Sequence, residues 1–276
     1  MNPSTADVSM FMPTRDTIIC ISLAGKPSNI GTRFHNFLYR KLGMNYLYKA
    51  CTTEDIVGAV AGVRALGIRG CSVSMPFKEA VIDLVDTLDE SARAIGSVNT
   101  IVNTDGHLAA YNTDYLAVRS LLRTHEVSTS SRVAVCGSGG MAKATTAALR
   151  DSGFSDVTIV ARNAHSGGKL ADTYRYRWIP ETTSAYDVLI NATPIGMEHQ
   201  PGLPFSAETI DAAHTVFDVI AMPATTELLA YARKAGKKTI AGTEVIALQA
   251  AEQFALYTGI VPPDDLLREA SEFSRR

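Results

Sequence analysis

A glycine-rich segment is the part of the sequence whose residue types point most directly to chemistry. It reads Cys136-Gly137-Ser138-Gly139-Gly140-Met141-Ala142 and lies between an apolar run and a helical pattern. Glycines at such a point let the backbone turn tightly and approach a pyrophosphate, which the first N–H groups of the helix then bind. A tight turn without any ligand also favours glycine. The position between a strand and a helix favours dinucleotide binding.

The residues after the next predicted strand indicate which dinucleotide this is. The acidic residue that holds a ribose 2′-hydroxyl in NAD-binding proteins is missing there. Ala161, Arg162 and Asn163 stand in its place, with Lys169 farther on. A guanidinium group can pair with a 2′-phosphate, and no carboxylate in this segment repels it. The segment therefore favours NADP over NAD, the alternative being that Arg162 is a solvated surface arginine.

Four later residues are assigned to the same cofactor site. In open α/β sheets, ligands collect beyond the carboxyl ends of the strands. Asn191-Ala192-Thr193 ends a predicted strand, so we expect Asn191 and Thr193 beside the cofactor, although the segment alone would be an ordinary turn. Val219 and Gly242, at the ends of two further predicted strands, complete this set.

Polar side chains in the first half of the chain could reach a common cleft. Strand alternation places two serines on one face, and a lysine follows them closely. An asparagine lies on a predicted hairpin, while a threonine and an aspartate begin a helix. Each has an ordinary alternative as a surface lysine, a helix cap or a favourable first-turn charge. The group consists of Ser72, Ser74, Lys78, Asn99, Thr113 and Asp114.

The composition excludes several classes of protein. Of the 276 residues, 46% are hydrophobic and 20% are charged, which is enough apolar surface to build a core. The net charge of −2 leaves no basic excess for nucleic acid. No apolar run approaches the roughly 20 residues that span a bilayer. We therefore expect no nucleic-acid partner and no membrane partner.

The cysteines and the N-terminus suggest a cytoplasmic protein. Cys20, Cys51, Cys71 and Cys136 form neither a Cys-x-x-Cys pair nor a zinc-type spacing, so no metal site is expected. Residues 1–15 contain no basic stretch that leads into an apolar one, so a signal peptide is not expected.

Short apolar runs alternate with amphipathic stretches of helical length along the whole chain. In the first half, strands are expected at 17–21, 45–50 and 70–74, and Pro76 stands where a helix could begin. A hairpin of strands 98–102 and 107–111 is expected to turn at Asp105-Gly106. In the second half, strands are predicted at 133–136, 157–160, 188–191, 216–220 and 239–241. Helical stretches are predicted to alternate with them.

Strand–helix alternation of this kind is typical of a parallel sheet with helices on both faces. The small, polar segment 126–131 is a plausible linker. We therefore expect an α/β protein of two domains with a cleft between them. Residues 1–125 form a substrate-binding catalytic domain, and residues 126–244 form a doubly wound, Rossmann-type NADP-binding domain. The helices of residues 245–276 are expected to return to the first domain.

Six segments, in this order, resemble the shikimate dehydrogenase family over nearly the whole chain, from about Ile18 to Gly259. Residues 28–32, 74–78 and 111–115 look most like the shikimate dehydrogenase-like branch, which consists of paralogues of the biosynthetic enzyme. The six segments are Pro76-Phe77-Lys78, Ser97-Val98-Asn99-Thr100, Asn112-Thr113-Asp114, the glycine-rich segment, Asn191-Ala192-Thr193 and Gln249-Ala250.

The resemblance implies a reversible, NADP-dependent oxidation of a ring hydroxyl in a polyhydroxy cyclohexene carboxylate, a reaction of the chorismate pathway and aromatic amino acid biosynthesis. Lys78 would be the catalytic lysine and Asp114 its partner, while Asn99 and Gln249 would hold ring hydroxyls. Lys78 serves either as a general base or as a cation that stabilises the developing alkoxide. A monomer or a homodimer is expected.

The sequence also departs from the family pattern. A Ser-x-Ser pair usually binds the substrate carboxylate, but here Asn29 and Gly31 occupy its places, leaving Ser28, Asn29 and Thr32 as candidate donors. Ser72 and Ser74 replace an asparagine and a threonine, and Ala221 replaces a tyrosine. We infer an intact hydride-transfer apparatus with altered substrate contacts. Quinate-type or aminoshikimate-type dehydrogenases remain alternatives, as does an NADP-binding regulatory protein without turnover.

Overall fold

The computed structural model describes residues 12–182 and 185–275. The strands are β1 (Ile18–Ala24), β2 (Tyr46–Thr52), β3 (Gly70–Val73), β4 (Thr87–Leu88), β5 (Thr100–Thr104), β6 (His107–Tyr111), β7 (Val133–Cys136), β8 (Val157–Val160), β9 (Arg177–Ile179), β10 (Val188–Asn191), β11 (Thr215–Asp218) and β12 (Lys238–Ala241). The helices are α1 (Ile30–Lys41), α2 (Ile56–Ala65), α3 (Glu90–Arg93), α4 (Thr113–Thr124), α5 (Gly140–Asp151), α6 (Ala164–Tyr174), α7 (Ala207–Ala212), α8 (Glu227–Lys234), α9 (Gly242–Thr258) and α10 (Asp264–Ser274).

The chain divides into two compact units. Unit 1 comprises the described parts of Met1–Asp89, Val98–Tyr111 and Gln253–Arg276, and unit 2 comprises Glu90–Ser97 and Asn112–Glu252. The expectation about a signal peptide at residues 1–15 falls largely on residues 1–11, which lie outside the described part of the chain.

Unit 1 contains a mixed sheet in the order β2-β1-β3-β5-β6-β4. Strands β1, β2 and β3 run parallel, whereas β5 is antiparallel to β3 and to β6. The β5–β6 hairpin turns at Asp105-Gly106, as predicted. Both residues have positive φ angles, 52° and 87°, which a tight two-residue hairpin turn requires and which aspartate and glycine tolerate.

The core of unit 1 is unusually rich in aromatic rings. Helix α1 buries His35 and Tyr39 against the sheet, and α9 contributes Phe254 and Tyr257 to the same cluster. Gly70 in β3 is required by this packing, because a Cβ atom there would lie 2.3 Å from the Tyr257 ring. The Tyr257 ring can therefore lie against β3 only because residue 70 has no side chain.

Unit 2 contains a sheet in the order β12-β11-β10-β7-β8-β9, in which every pair of neighbours is parallel. Alternate residues of β7 enter different cores: Val133 and Val135 pack on one face, and Ala134 and Cys136 on the other. The doubly wound fold predicted for this half is confirmed. From β7 the successive strands are added toward one edge of the sheet, and from β10 they are added toward the other edge. Ligands of such folds bind at this switch point between β7 and β10.

The boundary between the units differs from the one expected at residue 125. Helix α4 belongs to unit 2, where the Tyr115 hydroxyl donates to the Asp151 carboxylate of α5 at 2.8 Å. The expected linker at 126–131 therefore falls within unit 2. Helix α10 belongs to unit 1, whereas α9 is divided between the units at Gln253.

The helix expected near Pro76 is wrong. Residues 75–81 form turns instead, and a short 3-10 helix follows at Ile82–Leu84. In an α-helix the Lys78 carbonyl would accept from residue 82, but here it accepts from the backbone N–H of Val98 at 2.8 Å. The Ile82 N–H donates to Glu79 instead, so the helical hydrogen-bond pattern is interrupted at Lys78.

Candidate functional site

The glycine-rich segment links β7 to α5, as expected. Gly137 has a φ angle of 121°, and a Cβ atom there would lie 2.8 Å from the Ala192 carbonyl oxygen, so the protein's own packing requires this glycine. At Gly139 and Gly140, by contrast, an added Cβ would meet no atom within 4 Å. Open space over two glycines at a helix N-terminus fits a phosphate group that approaches the backbone.

A cleft of about 980 Å³ opens beside this segment, within unit 2. The carboxyl-terminal ends of β7, β8, β9 and β10 contribute to its wall. The structure therefore gathers at one edge of the sheet many of the residues predicted to bind the cofactor. Those lining the cleft are Gly137, Ser138, Gly139, Ala161, Arg162, Asn163 and Thr193.

Arg162 is exposed at this cleft, directly after β8. The next residue, Asn163, caps α6 by accepting from the Ser166 N–H at 3.1 Å. The Ser166 hydroxyl in turn lies 2.8 Å from that of Ser138 in the glycine-rich segment. The segment bearing Arg162 is thus tied to the glycine-rich segment by side-chain hydrogen bonds, so both segments line the same cleft.

Glu181 also lines the cleft, from the loop after β9. No carboxylate was expected near the arginine from the residues after β8 alone. The sequence offered no signal for Glu181, because β9 itself was not predicted. The Glu181 carboxylate repels an anionic ligand in this cleft. The positive charge of Arg162 is therefore needed to offset that repulsion.

Asn191 does not reach the cleft with its side chain, which is completely buried. Its Nδ2 donates to the Asp218 carboxylate at 3.0 Å and to the Ile195 carbonyl. Its Oδ1 accepts from the backbone N–H and the hydroxyl of Thr193, at 3.0 and 2.7 Å. Asn191 therefore holds the loop that presents Thr193 to the cleft, rather than offering a side-chain contact to a ligand there.

Asp218 was not among the predicted site residues, although it anchors this loop. Its side chain is completely buried and accepts from the Thr226 hydroxyl at 2.5 Å and the Ile220 N–H at 3.1 Å. Burial raises the pKa of the carboxyl, while these donors lower it. A buried acidic residue at the end of a strand is the signal that could have identified it.

The other predicted cofactor residues shape the site through backbone hydrogen bonds and close packing. The Val219 N–H donates to the Asn191 carbonyl at 3.1 Å, which joins the ends of β10 and β11. Gly242 begins α9 so close to that segment that an added Cβ would lie 2.3 Å from the Ile220 carbonyl. Met141 is half-buried, and Ala142 is fully buried in the core of unit 2, so its side chain is not available to a ligand.

In unit 1, the backbone brings Lys78 next to Asn99. The hydrogen bond from the Val98 N–H to the Lys78 carbonyl joins the turn after β3 to the segment before β5. Asn99 continues this connection, since its N–H donates to Tyr111 and its carbonyl accepts from Val73. The Lys78 side chain is half-buried. Two residues that are distant in the sequence therefore belong to one local site.

Ser72 in β3 is half-buried, and Ser74, directly after the strand, is exposed. The Ser72 hydroxyl lies 2.6 Å from that of Tyr48, a residue not predicted to matter. Tyr48 stacks on His35 with 4.4 Å between ring centroids. Burial lowers the pKa of His35 from 6.5 to about 3, so this ring is neutral. The hydroxyl of Ser72 is thus held by the aromatic core.

The segment that replaces Ser-x-Ser begins α1. Asn29 occupies the cap position but makes no capping hydrogen bond with its side chain, and it is exposed. The Thr32 hydroxyl is buried and has no hydrogen-bond partner. These two candidate donors therefore differ: Asn29 faces solvent, whereas Thr32 must change rotamer before it can touch a ligand.

The remaining predicted residues belong to unit 2. Asn112 caps α4 through the Tyr115 N–H at 3.1 Å and also donates to the Ser97 carbonyl at 2.9 Å. Asp114 lies in the first turn of this helix and is half-buried, whereas Thr113 is fully buried. Gln249 is half-buried on α9. Among the described residues, no helix is long and apolar enough to cross a membrane, and no group of three or more His, Cys, Asp and Glu side chains could hold a metal ion.

The fold and cleft of unit 2 define a Rossmann-type dinucleotide-binding unit, here joined in one chain to a mixed α/β unit with its own polar site. Comparison with known proteins identifies the family. Residues 29–101 match the family model described as the shikimate dehydrogenase substrate binding domain. A shikimate dehydrogenase-like protein of Haemophilus influenzae is 51% identical over 268 residues, which cover 96% of this chain and 99% of that protein.

Two solved structures extend the match to the fold. A shikimate 5-dehydrogenase-like protein superimposes with a TM-score of 0.94 at 51% identity, over 96% of this chain and 100% of the other. The shikimate 5-dehydrogenase of Thermus thermophilus, solved with NADP(H) and shikimate, gives a TM-score of 0.85 at 28% identity, over 93% and 99% of the two chains. The chain belongs to the shikimate dehydrogenase family, and the resemblance found in the sequence is confirmed.

Proposed function

We propose that this protein is an NADP-dependent dehydrogenase that oxidises, reversibly, a ring hydroxyl of shikimate or of a related hydroxy acid. The observation that carries the proposal is the open space over Gly139 and Gly140 beside the exposed Arg162, in a chain of this family. The structural neighbour from Thermus thermophilus, solved with NADP(H) and shikimate, supports the same cofactor and the same class of substrate.

The cofactor site is proposed to consist mainly of backbone. The N–H groups at the start of α5 would bind the pyrophosphate, and Arg162 would pair with the 2′-phosphate. The loop from Asn191 to Thr193 would contact the cofactor through its backbone and the Thr193 side chain, because the Asn191 amide is committed to the interior. NADP, when bound, accepts the hydride that leaves the carbinol carbon.

Lys78 and Asp114 are proposed to manage the hydroxyl proton. Lys78 would lie against the reacting oxygen, either removing its proton or stabilising the alkoxide as a cation. Asp114 would be its partner, at the first turn of α4. The interruption of the helical pattern at Lys78 supports the assignment, since it fixes the backbone of this residue next to Asn99.

The substrate contacts are proposed to include Asn29, Ser72, Ser74, Asn99, Thr113 and Gln249, with Thr32 after a rotamer change. Two family groups that contact the substrate are missing: Gly31 lacks the hydroxyl of the pair that binds the carboxylate, and Ala221 lacks the phenol that lies on the substrate. A lost hydrogen bond to a charged group costs about 1.5–3 kcal/mol, or roughly tenfold or more in affinity. We expect the protein to bind shikimate more weakly than relatives that retain these groups.

A panel assay tests the proposal. Purified protein is given NADP with shikimate, quinate or an aminoshikimate, and reduced nicotinamide is followed by absorbance. The proposal predicts turnover of at least one ring acid, and the preferred one decides between the shikimate, quinate and aminoshikimate alternatives. No turnover at high enzyme concentration, together with tight NADP binding, would favour the regulatory alternative and contradict the proposed activity.

Cofactor binding can be measured separately through the single tryptophan of the chain. The Trp178 indole donates to the Ala161 carbonyl at 2.9 Å, and Ala161 lines the cleft beside Arg162. Quenching of this fluorescence on titration with NADP therefore reports binding without turnover.

We propose that the protein works in the cytoplasm as a monomer or homodimer on a small-molecule substrate, without nucleic acid or membrane.

A further inference from the structure

Asn99 is held by a buried network that reaches α9. The Gln253 Nε2 donates to the Thr100 hydroxyl at 3.0 Å and to the Asn99 carbonyl oxygen at 3.3 Å. The Thr100 hydroxyl donates to the Asn99 Oδ1 at 2.8 Å. All three side chains are at most 5% exposed, with Asn99 at 3%, Thr100 at 0% and Gln253 at 4%. The network lies wholly within unit 1.

The hydrogen bonds within this network assign one orientation to each of the two amides. A backbone carbonyl accepts and never donates, so Gln253 must turn its NH2 group toward the carbonyl of Asn99. The same NH2 group donates to Thr100, whose hydroxyl is then an acceptor in that bond and has a single proton left to give. That proton goes to the Asn99 side chain, which must present its oxygen to Thr100. The NH2 group of Asn99 therefore points away from the network.

We propose that Gln253 is a positioning residue that, through the Thr100 hydroxyl, fixes the Asn99 carboxamide with its NH2 group toward the ligand. Asn99 then donates to a hydroxyl or carbonyl oxygen of the substrate, beside Lys78. This inference deepens the proposed function and rests on it. No functional segment of the sequence contains Gln253, which is 154 positions from Asn99.

The surroundings of the network explain why it holds one arrangement. His35 lies beside Gln253, whose carboxamide slightly favours the charged form of the ring, although burial keeps His35 neutral. Phe254, next in the chain, is buried and stacks near His35. Such a buried, tightly packed environment excludes water that could otherwise replace a lost hydrogen bond. Removing one donor from the network should therefore release the Asn99 amide.

Four variants of the full chain test the proposal. Gln253→Met keeps the length of the side chain but removes the donor, and Thr100→Val removes the hydroxyl at constant shape. Thr100→Ser restores the hydroxyl as the conservative variant. Ile101→Val is the matched control, because it trims a buried side chain on the same strand, next to Thr100 but on its other face.

The first readout is steady-state kinetics with the preferred ring acid and NADP. Gln253→Met and Thr100→Val should each raise KM for the ring acid about tenfold, with the Kd for NADP unchanged, and the double variant should be no worse than either. Thr100→Ser and Ile101→Val should stay near wild type. Unchanged KM in Thr100→Val, or an equal rise in Ile101→Val, would overturn the proposal.

The second readout needs neither ligand nor turnover. The side-chain NH2 resonances of Asn99, assigned by their loss in Asn99→Asp, should shift in Gln253→Met and Thr100→Val but not in Ile101→Val. Unshifted resonances in the first two variants would overturn the positioning role. If the resonances shift as expected while wild type turns over no ring acid, the proposed activity fails and the positioning of Asn99 stands.

Discussion

The two units of this protein build their polar sites in different ways. In unit 2, the candidate cofactor site comes from short contiguous segments at the ends of neighbouring strands, and much of it is backbone. In unit 1, Ser72 and Asn99 are held by Tyr48 and Gln253, which are 24 and 154 positions away in the chain. The difference shows why a backbone site can be identified from local spacing, whereas a side-chain site depends on contacts that spacing does not encode.

The largest effect on activity should come from replacing Lys78, the unit 1 residue proposed to contact the reacting oxygen. Lys78→Ala removes the only side chain assigned to the reacting oxygen from unit 1, so kcat should fall by about 10²–10⁴-fold. The Trp178 titration should give an unchanged Kd for NADP, because that site belongs to unit 2.

Lys41→Met serves as the control, since Lys41 is an exposed lysine of the same unit that pairs with Glu269. Turnover of Lys78→Ala within twofold of wild type would remove this residue from the mechanism.

The glycines of unit 2 should separate folding from binding. Gly139→Val places a side chain in the open space over the backbone, so we expect the Kd for NADP to rise at least about tenfold with little change in Tm. Gly137→Ala should lower Tm, because a positive φ and a contact of 2.8 Å with a carbonyl make the substitution strained. Equal loss of stability in both variants would contradict the distinction between the two glycines.

Arg162 tests whether one side chain sets the cofactor preference of a site built of backbone. Arg162→Ala should raise KM for NADP roughly tenfold or more and leave KM for NAD nearly unchanged, because only NADP carries the 2′-phosphate. Arg177→Ala, at an exposed arginine of unit 2 that pairs with Asp156, should change neither constant. A parallel rise for both cofactors in Arg162→Ala would show that Arg162 does not read the 2′-phosphate.

A change in stability, rather than in activity, is expected from the aromatic core of unit 1. Burial lowers the pKa of His35 from 6.5 to about 3, so the unfolded chain binds a proton below pH 6.5 that the folded chain does not. The free energy of unfolding should therefore decrease as the pH falls from about 6.5 toward 4, by at most about 1.4 kcal/mol per pH unit from this residue.

Urea unfolding at a series of pH values checks this expectation. His35→Phe keeps a buried ring but removes the titration, so its unfolding free energy should decrease less steeply with falling pH than that of wild type. Identical slopes would mean that His35 is protonated in the folded protein.

Much of unit 2 could be predicted because its signals are local. The strands at 133–136, 157–160 and 188–191 are found as predicted, and the glycines between β7 and α5 lie where the pattern placed them. Helix α6 was missed, since Gly167 and Gly168 lower helix propensity, and the three-residue strand β9 was missed as well. Gly167 is needed there for another reason: a Cβ would lie 2.4 Å from the Trp178 indole nitrogen.

The site of unit 1 was predicted less completely, for a physical reason. The sequence indicates Ser72, Lys78 and Asn99 as polar residues, but their orientation depends on Tyr48, Thr100 and Gln253, which look like ordinary strand and helix residues. The helix expected at Pro76 failed for the same reason, because a distant N–H, that of Val98, takes the Lys78 carbonyl out of the helical pattern.

The most direct test of the account is the fate of the hydrogen on the reacting ring carbon. The preferred ring acid of the panel is deuterated at its carbinol carbons and incubated with NADP and stoichiometric protein, and the reduced cofactor is analysed by mass spectrometry. We predict one deuterium in the reduced nicotinamide, and with Lys78→Ala the same labelled product should form about 10²–10⁴-fold more slowly. Reduced cofactor that carries no deuterium, or no reduced cofactor with any ring acid, would contradict hydride transfer from a ring alcohol.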